Sequence, residues 1–202
     1  MQGAQPDPPL AIVDLYGPKY FQDPFWTLPL PALSKIPDFD DAFLNKVFDE
    51  PLRTFTASSL ERGTAASKTG PPRPDLTIPR NAWLFTILKR GTYLRYMVPD
   101  GNLDRVDPVR RFSAGFPPTY FLHGAADEWV LPRFSEQAHQ KLLEFGVETK
   151  IVLVPGLVHG FDAVLSPDDH RYGHVRDAFE FLRKHAEKRN GADECKSFRS
   201  AL

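Results

Sequence analysis

The chain is poor in cysteine, in unbalanced charge and in long apolar runs. Its single cysteine, Cys195, stands in a polar tail, so no internal disulfide framework is available. The 25 basic residues are matched by 26 acidic ones, which leaves no excess of either sign to attract nucleic acid or an anionic membrane. No uninterrupted apolar segment approaches the roughly 20 residues that a membrane-spanning helix needs. The opening residues, MQGAQPDPPL, have no basic patch followed by an apolar run, so no secretory signal is expected. The closing Ser200-Ala201-Leu202 lacks the basic middle residue of a peroxisomal Ser-Lys-Leu signal. A cytoplasmic, reducing setting is the expectation, with no nucleic-acid or membrane partner. Cys-x-x-Cys pairs, glycine-rich phosphate loops and internal repeats are also missing, and no cofactor is expected.

What is present is divided by proline. Seventeen of the 20 prolines fall in residues 1–120, and three in the remaining 82. Proline blocks helix interiors and central strands, so the front of the chain must be short elements joined by loops, and the back can hold long regular ones. Residues 11–17, AIVDLYG, form a mostly apolar run that predicts a buried strand. Just beyond it come Phe21, Phe25 and Trp26. These aromatics either pack on the core or form one wall of an apolar substrate pocket. Residues 38–50 predict an amphipathic helix stopped by Pro51, with Phe39, Phe43, Leu44, Val47 and Phe48 on one face. Residues 58–80 read as an irregular link. A second helix follows Pro79, with Trp83, Leu84, Ile87 and Leu88 inward and Gly91 ending it. The two helices are either an inserted lid or ordinary crossovers.

Residues 119–162 carry the chemistry. Thr119–Leu122 predicts a strand, followed by a turn at His123-Gly124-Ala125-Ala126-Asp127. Phe134, Ala138 and Leu142 are four apart and mark a helix that Gly146 can close. Thr149–Val154 is the next strand, and Pro155-Gly156 leads from it to His159. Two parallel strands joined by a helix bring their C-terminal ends side by side, where open α/β sheets gather their ligands. Asp127 and His159, 32 residues apart, leave those two ends. The carboxylate can then fix one ring nitrogen and leave the other as a base. Each residue alone is an ordinary loop former; the pairing is what draws notice.

The segment HG-x-x-D-x-x-V (His123 to Val130), then a helix, a strand and G-x-x-HGF (Gly156 to Phe161), resembles the acid and histidine end of the α/β-hydrolase superfamily of esterase-like and lipase-like serine hydrolases. The resemblance implies an α/β fold in which residues 1–18 give a core strand and 19–116 a cap-like insert. Residues 117–188 would be the acid- and histidine-bearing part and 189–202 a polar tail. It implies Asp127 and His159 as two members of a Ser-Asp-His triad, with a small-molecule ester or amide as substrate. The family's Gly-x-Ser-x-Gly elbow belongs before Ala11, where ten residues stand. No substitute qualifies: Ser113 follows no strand, Ser58, Ser59 and Ser166 lack elbow context, and Cys195 lies in the tail.

A truncated carboxylester hydrolase, inactive by itself, is therefore the expectation. The alternatives are a binding or scaffold protein, a half-enzyme completed by another chain, and a peptidase-like hydrolase fragment. The strand at 11–17 would leave an unpaired sheet edge prone to self-association. The last helix starts near Asp168-Asp169 and carries Tyr172, Val175, Phe179, Leu182 and Ala186 as its apolar stripe, packing beside the His159 strand. His170 and His174 have the four-residue spacing of metal ligands. A solvated helix start explains them as well, and no metal is expected. Beyond Lys188 the tail reads as disordered.

Overall fold

The computed structural model describes residues 9–50 and 74–199, with the side chains of the last helix followed through Lys188. In chain order its strands and α-helices are β1 (Ile12–Leu15), α1 (Asp41–Asn45), α2 (Pro79–Lys89), α3 (Tyr93–Met97), α4 (Leu103–Val106), β2 (Thr119–Gly124), α5 (Arg133–Glu144), β3 (Thr149–Val154) and α6 (Gly173–Arg199). The irregular link expected at 58–80 lies mostly outside the described residues. The chain forms two compact units. One consists of Met1–Pro18, Arg111–His159 and Leu165–Leu202, the other of Lys19–Arg110 and Gly160–Val164.

The first unit is of the α/β class. Among the described residues its sheet has three parallel strands in the order β1-β2-β3. Ile12 lies opposite Thr119, and Thr119 opposite Thr149, with pairing continuing to Gly124 opposite Val154. All six residues of β2 are buried. Alternate side chains explain this, because Phe121 meets His139 of α5 on one face and Tyr120 meets Phe181 of α6 on the other. A strand covered on both faces is apolar at both parities, as TYFLHG nearly is. The ladder extends through His123 and Gly124, where the sequence predicted a turn. The flanking strands are less enclosed than their apolar runs predicted: β1 is half-buried throughout, and β3 is buried only at Val154.

Helix α5 buries Phe134, Ala138 and Leu142 completely, at the predicted i, i+4 spacing, and Gly146 follows its end in the left-handed conformation. Helix α6 packs against β2 and β1 rather than chiefly beside β3. Its inner face is Val175, Ala178 and His185, so the predicted stripe is rotated, and Phe179 is 60% exposed. Alanine at 178, with no exposed area, allows the close approach that a phenylalanine there would prevent. The backbone stays helical to Arg199, where disorder was expected. Residues 174–199 contain no proline and many Lys, Arg, Glu and Ala, which favour helix.

The second unit is built of short pieces. The Asp40 carboxylate accepts from Phe43 N at 2.8 Å and caps α1. That helix tightens into a 3-10 turn at Lys46–Asp49 instead of running unbroken across 38–50. Leu44 and Val47 are buried, but Phe48 of the predicted face is 66% exposed. In α2 the buried residues are Asn81, Ala82, Phe85, Thr86 and Ile87, while Trp83, Leu84 and Leu88 are half-buried. Buried Asp107 accepts from the backbone N–H groups of Tyr20, Phe21 and Val109 and fastens the segment that follows Pro18.

Each residue of a parallel strand directs both its backbone groups to one neighbour. Ile12 N and Tyr16 N donate to Pro118 O and Leu122 O, so Val13 and Leu15 point to the outer side, where no strand pairs among the described residues. In the 202-residue chain, the Val13 and Leu15 amides should exchange with solvent at least roughly tenfold faster than those of Asp14 and Tyr16. Equal protection, read by native-state hydrogen exchange, would show that this edge is covered.

Candidate active site

The site begins with a close backbone approach. After β2 the chain turns through Ala125 and Ala126 to Asp127, whose N–H donates to Gly124 O at 3.1 Å. After β3 it passes Leu157 on the way to His159. Ala125 N donates to Val154 O and Ala126 N to Leu157 O, both at 2.9 Å, which ties the two loops together. A Cβ on residue 124 would stand 2.3 Å from Leu157 O and 2.7 Å from its carbonyl carbon, closer than any real side chain sits to backbone. Glycine is therefore required there.

Asp127, only 3% exposed, is surrounded by donors. Its Oδ1 accepts from the backbone N–H groups of Trp129 at 2.8 Å and Val130 at 3.0 Å. Its Oδ2 lies 2.8 Å from His159 Nδ1 and 3.2 Å from His123 Nε2. Burial by itself pushes this carboxyl up. The hydrogen bonds from His123 and His159, the charge of His159 and the Val130 N–H outweigh burial and hold it well below the usual carboxylate range.

The ionised carboxylate can only accept, so His159 donates from Nδ1, and Nε2 of the neutral ring is left with a free lone pair. The side chain of His159 is 27% exposed, enough for a reactant to reach it. Trp129 stacks on the imidazole with 5.4 Å between centroids and 14° between planes, and Tyr16 meets it edge-on at 4.5 Å. Tyr16 takes a left-handed backbone (φ 43°) directly after β1. Left-handed φ is uncommon for a bulky side chain and is often found at functional sites.

Asp127 and His159, then, are brought together at the C-terminal edge of the sheet. Phe21, Phe25 and Trp26 belong to the second unit. Phe21 and Trp26 are buried there and pack edge-to-face at 5.6 Å, and half-buried Phe25 meets Trp26 at 5.1 Å. Among the described residues no hydroxyl or thiol bonds to Nε2 of His159. Ser113 is exposed on the loop that leads into the opposite, N-terminal end of β2. Ser58, Ser59 and the Cys195 side chain lie outside the described residues. The side chain of His170 is 92% exposed, and no group of three potential metal ligands gathers among the described residues. Sequence reasoning missed Tyr16, Trp129, His123 and Ser135. The available signal was His123 itself, an imidazole at the end of an otherwise apolar strand run.

No family model matches the chain. It is 27% identical over 205 residues, 88% of its own length, to the non-reducing polyketide synthase ausA of Aspergillus calidoustus. It is 25% identical over 202 residues, 89% of its length, to the non-reducing polyketide synthase adrD of Penicillium rubens. The chain spans 8% of the length of each of these relatives. Among solved structures it is similar to a thermophilic esterase of Thermogutta terrifontis, at 29% identity and a TM-score of 0.36, over 39% of this chain and 29% of that one.

Two outcomes follow from the geometry. Gly124→Ala must displace the Leu157 backbone and should destabilise the fold by about 3 kcal/mol in denaturant titration. A loss below about 0.5 kcal/mol, no more than an ordinary surface change, would mean that the loops are not in contact. The second concerns acid. A depressed carboxyl stabilises the fold above its unfolded pKa of about 4, and that stability is lost as pH falls through the folded value. The wild-type melting temperature should therefore fall more steeply than that of Asp127→Asn below about pH 4. Parallel acid limbs would contradict the assignment.

Proposed function

We propose that Asp127 and His159 are the acid and base of an α/β-hydrolase-type serine hydrolase site that cleaves or transfers an acyl group held as an ester or thioester. The observation that carries this reading is the 2.8 Å bond from His159 Nδ1 to Asp127, which leaves Nε2 free at the C-terminal edge of a parallel sheet. Nε2 removes the proton of a serine hydroxyl as the oxygen attacks the acyl carbon. Asp127 holds the ring and balances the imidazolium, and the ring then protonates the leaving oxygen or sulfur. The serine and the oxyanion donors come from a polypeptide segment other than these 202 residues. The names of the relatives support the substrate class, because a polyketide is an acyl chain.

The test uses a serine-directed fluorophosphonate and 4-nitrophenyl acyl esters. The 202-residue chain by itself should neither label nor turn over. Adding a polypeptide that carries a strand and a Gly-x-Ser-x-Gly elbow should restore both; His159→Ala should then lower turnover by about 10⁶-fold and Asp127→Asn by about 10⁴-fold. Failure to recover with any such segment would favour a binding or scaffold role. Stoichiometric labelling of one of the chain's own serines would overturn this account of the nucleophile.

A further inference from the structure

We propose that His123 is a positioning residue that orients Asp127 toward His159, and that Ser135 fixes the tautomer His123 needs. This rests on the acid–base reading of Asp127 and His159. His123 has no exposed area at all, yet both its ring nitrogens are engaged. Nε2 is 2.8 Å from the carbonyl oxygen of Val130 and 3.2 Å from Oδ2 of Asp127. A carbonyl oxygen only accepts, so Nε2 carries the proton, and its N–H forks between the carbonyl and the carboxylate. Nδ1 of the neutral ring is then an acceptor, and it faces the hydroxyl of Ser135 at 2.8 Å. Ser135 lies on α5, is fully buried and is set to donate.

The chain of contacts therefore runs Ser135, His123, Asp127, His159, from the interior of the unit to the accessible Nε2. Its consequence is geometric. Asp127 receives two backbone N–H groups on Oδ1 and two imidazole N–H groups on Oδ2, so the carboxylate cannot turn without abandoning a buried bond. A histidine present only to fill the core would satisfy itself on Val130 and Ser135 and need no carboxylate. Here it shares the oxygen that orients His159. The two rings are thereby held in opposite tautomers, with Nε2–H on His123 and Nδ1–H on His159.

Ring-nitrogen NMR of the full chain reads both tautomers directly and needs no turnover. Wild type should show opposite tautomers at His123 and His159. His123→Phe, which keeps a ring but no donor, should turn His159 from a single Nδ1–H form into a tautomer mixture, and His123→Gln, which keeps a donor near the position of Nε2, should restore it. Ser135→Ala should mix the tautomers of His123, and Ser135→Thr should preserve them. A single, unchanged His159 tautomer in folded His123→Phe would overturn the proposal. Should that variant not fold, Ser135→Ala decides, and both histidines unaltered there would overturn it equally. The outcome is separable from the hydrolase reading. Opposite tautomers without any recoverable acyl chemistry would leave the positioning role standing and remove the function proposed above. A wild-type His159 protonated at Nε2 would remove the acid–base pair itself.

Discussion

The close passage of the Leu157 backbone over Gly124 is the constraint on which the site depends. Two strand ends in a parallel sheet lie about 4.8 Å apart, but their loops are free to diverge. Here the absence of a side chain at 124 lets the carbonyl of Leu157 come down onto the neighbouring strand, and Ala126 N secures it. With both loops clamped at their roots, Asp127 and His159 have little room to separate. Their hydrogen bond is set by backbone packing before any side-chain preference acts.

The clamp accounts for position, and the donors around Asp127 account for charge. A buried carboxylate is costly unless its lone pairs are met, and a 3% exposed Asp127 has little water to meet them. Backbone N–H groups from the turn after it serve one oxygen and imidazoles serve the other. Because three of these groups, at 123, 129 and 130, come from within four residues of Asp127, the anion is largely solvated by its own loop. His159 arrives as the partner from outside that loop, with its base nitrogen turned outward.

Much of this was legible in the chain. The 3.6-residue period at Phe134, Ala138 and Leu142, between two β-rich runs, fixes the unit β2-α5-β3 and with it the side of the sheet where Asp127 and His159 emerge. The parallel α/β class follows from the same alternation. Other features were hidden for physical reasons. His123 and Gly124 look like turn residues, and their place inside β2 is decided by the ladder to Leu153 and Val154 and by contacts with α5 and the 157 loop. In α6, Phe179 and Phe181 offer two competing apolar stripes, and the sheet selects the one that contains small Ala178. The aromatics after β1 were compatible with core or pocket, since a ring's burial depends on neighbours no local pattern specifies. Where α1 gives way to a 3-10 turn, too little of a full helical face is buried to hold a longer helix.

The two ladders of the sheet differ greatly in how much chain they enclose. Thr119 to Thr149, in the ladder of β2 with β3, is a separation of 149 − 119 = 30 residues, whereas Ile12 to Thr119, in the ladder of β1 with β2, is 119 − 12 = 107. Closing the longer loop costs roughly 1 kcal/mol more conformational entropy than closing the shorter one, and it must be met before the four pairs of β1 return anything. Local assembly should therefore run from β2 through α5 to β3, which places the carboxylate and the imidazole together while β1 is still unattached. Tyr16, riding on the end of β1, would arrive last and close over an imidazole already in place. In this order of assembly the chemistry is nucleated early, and the strand that brings Tyr16 to it is the latest and most easily lost part of the sheet.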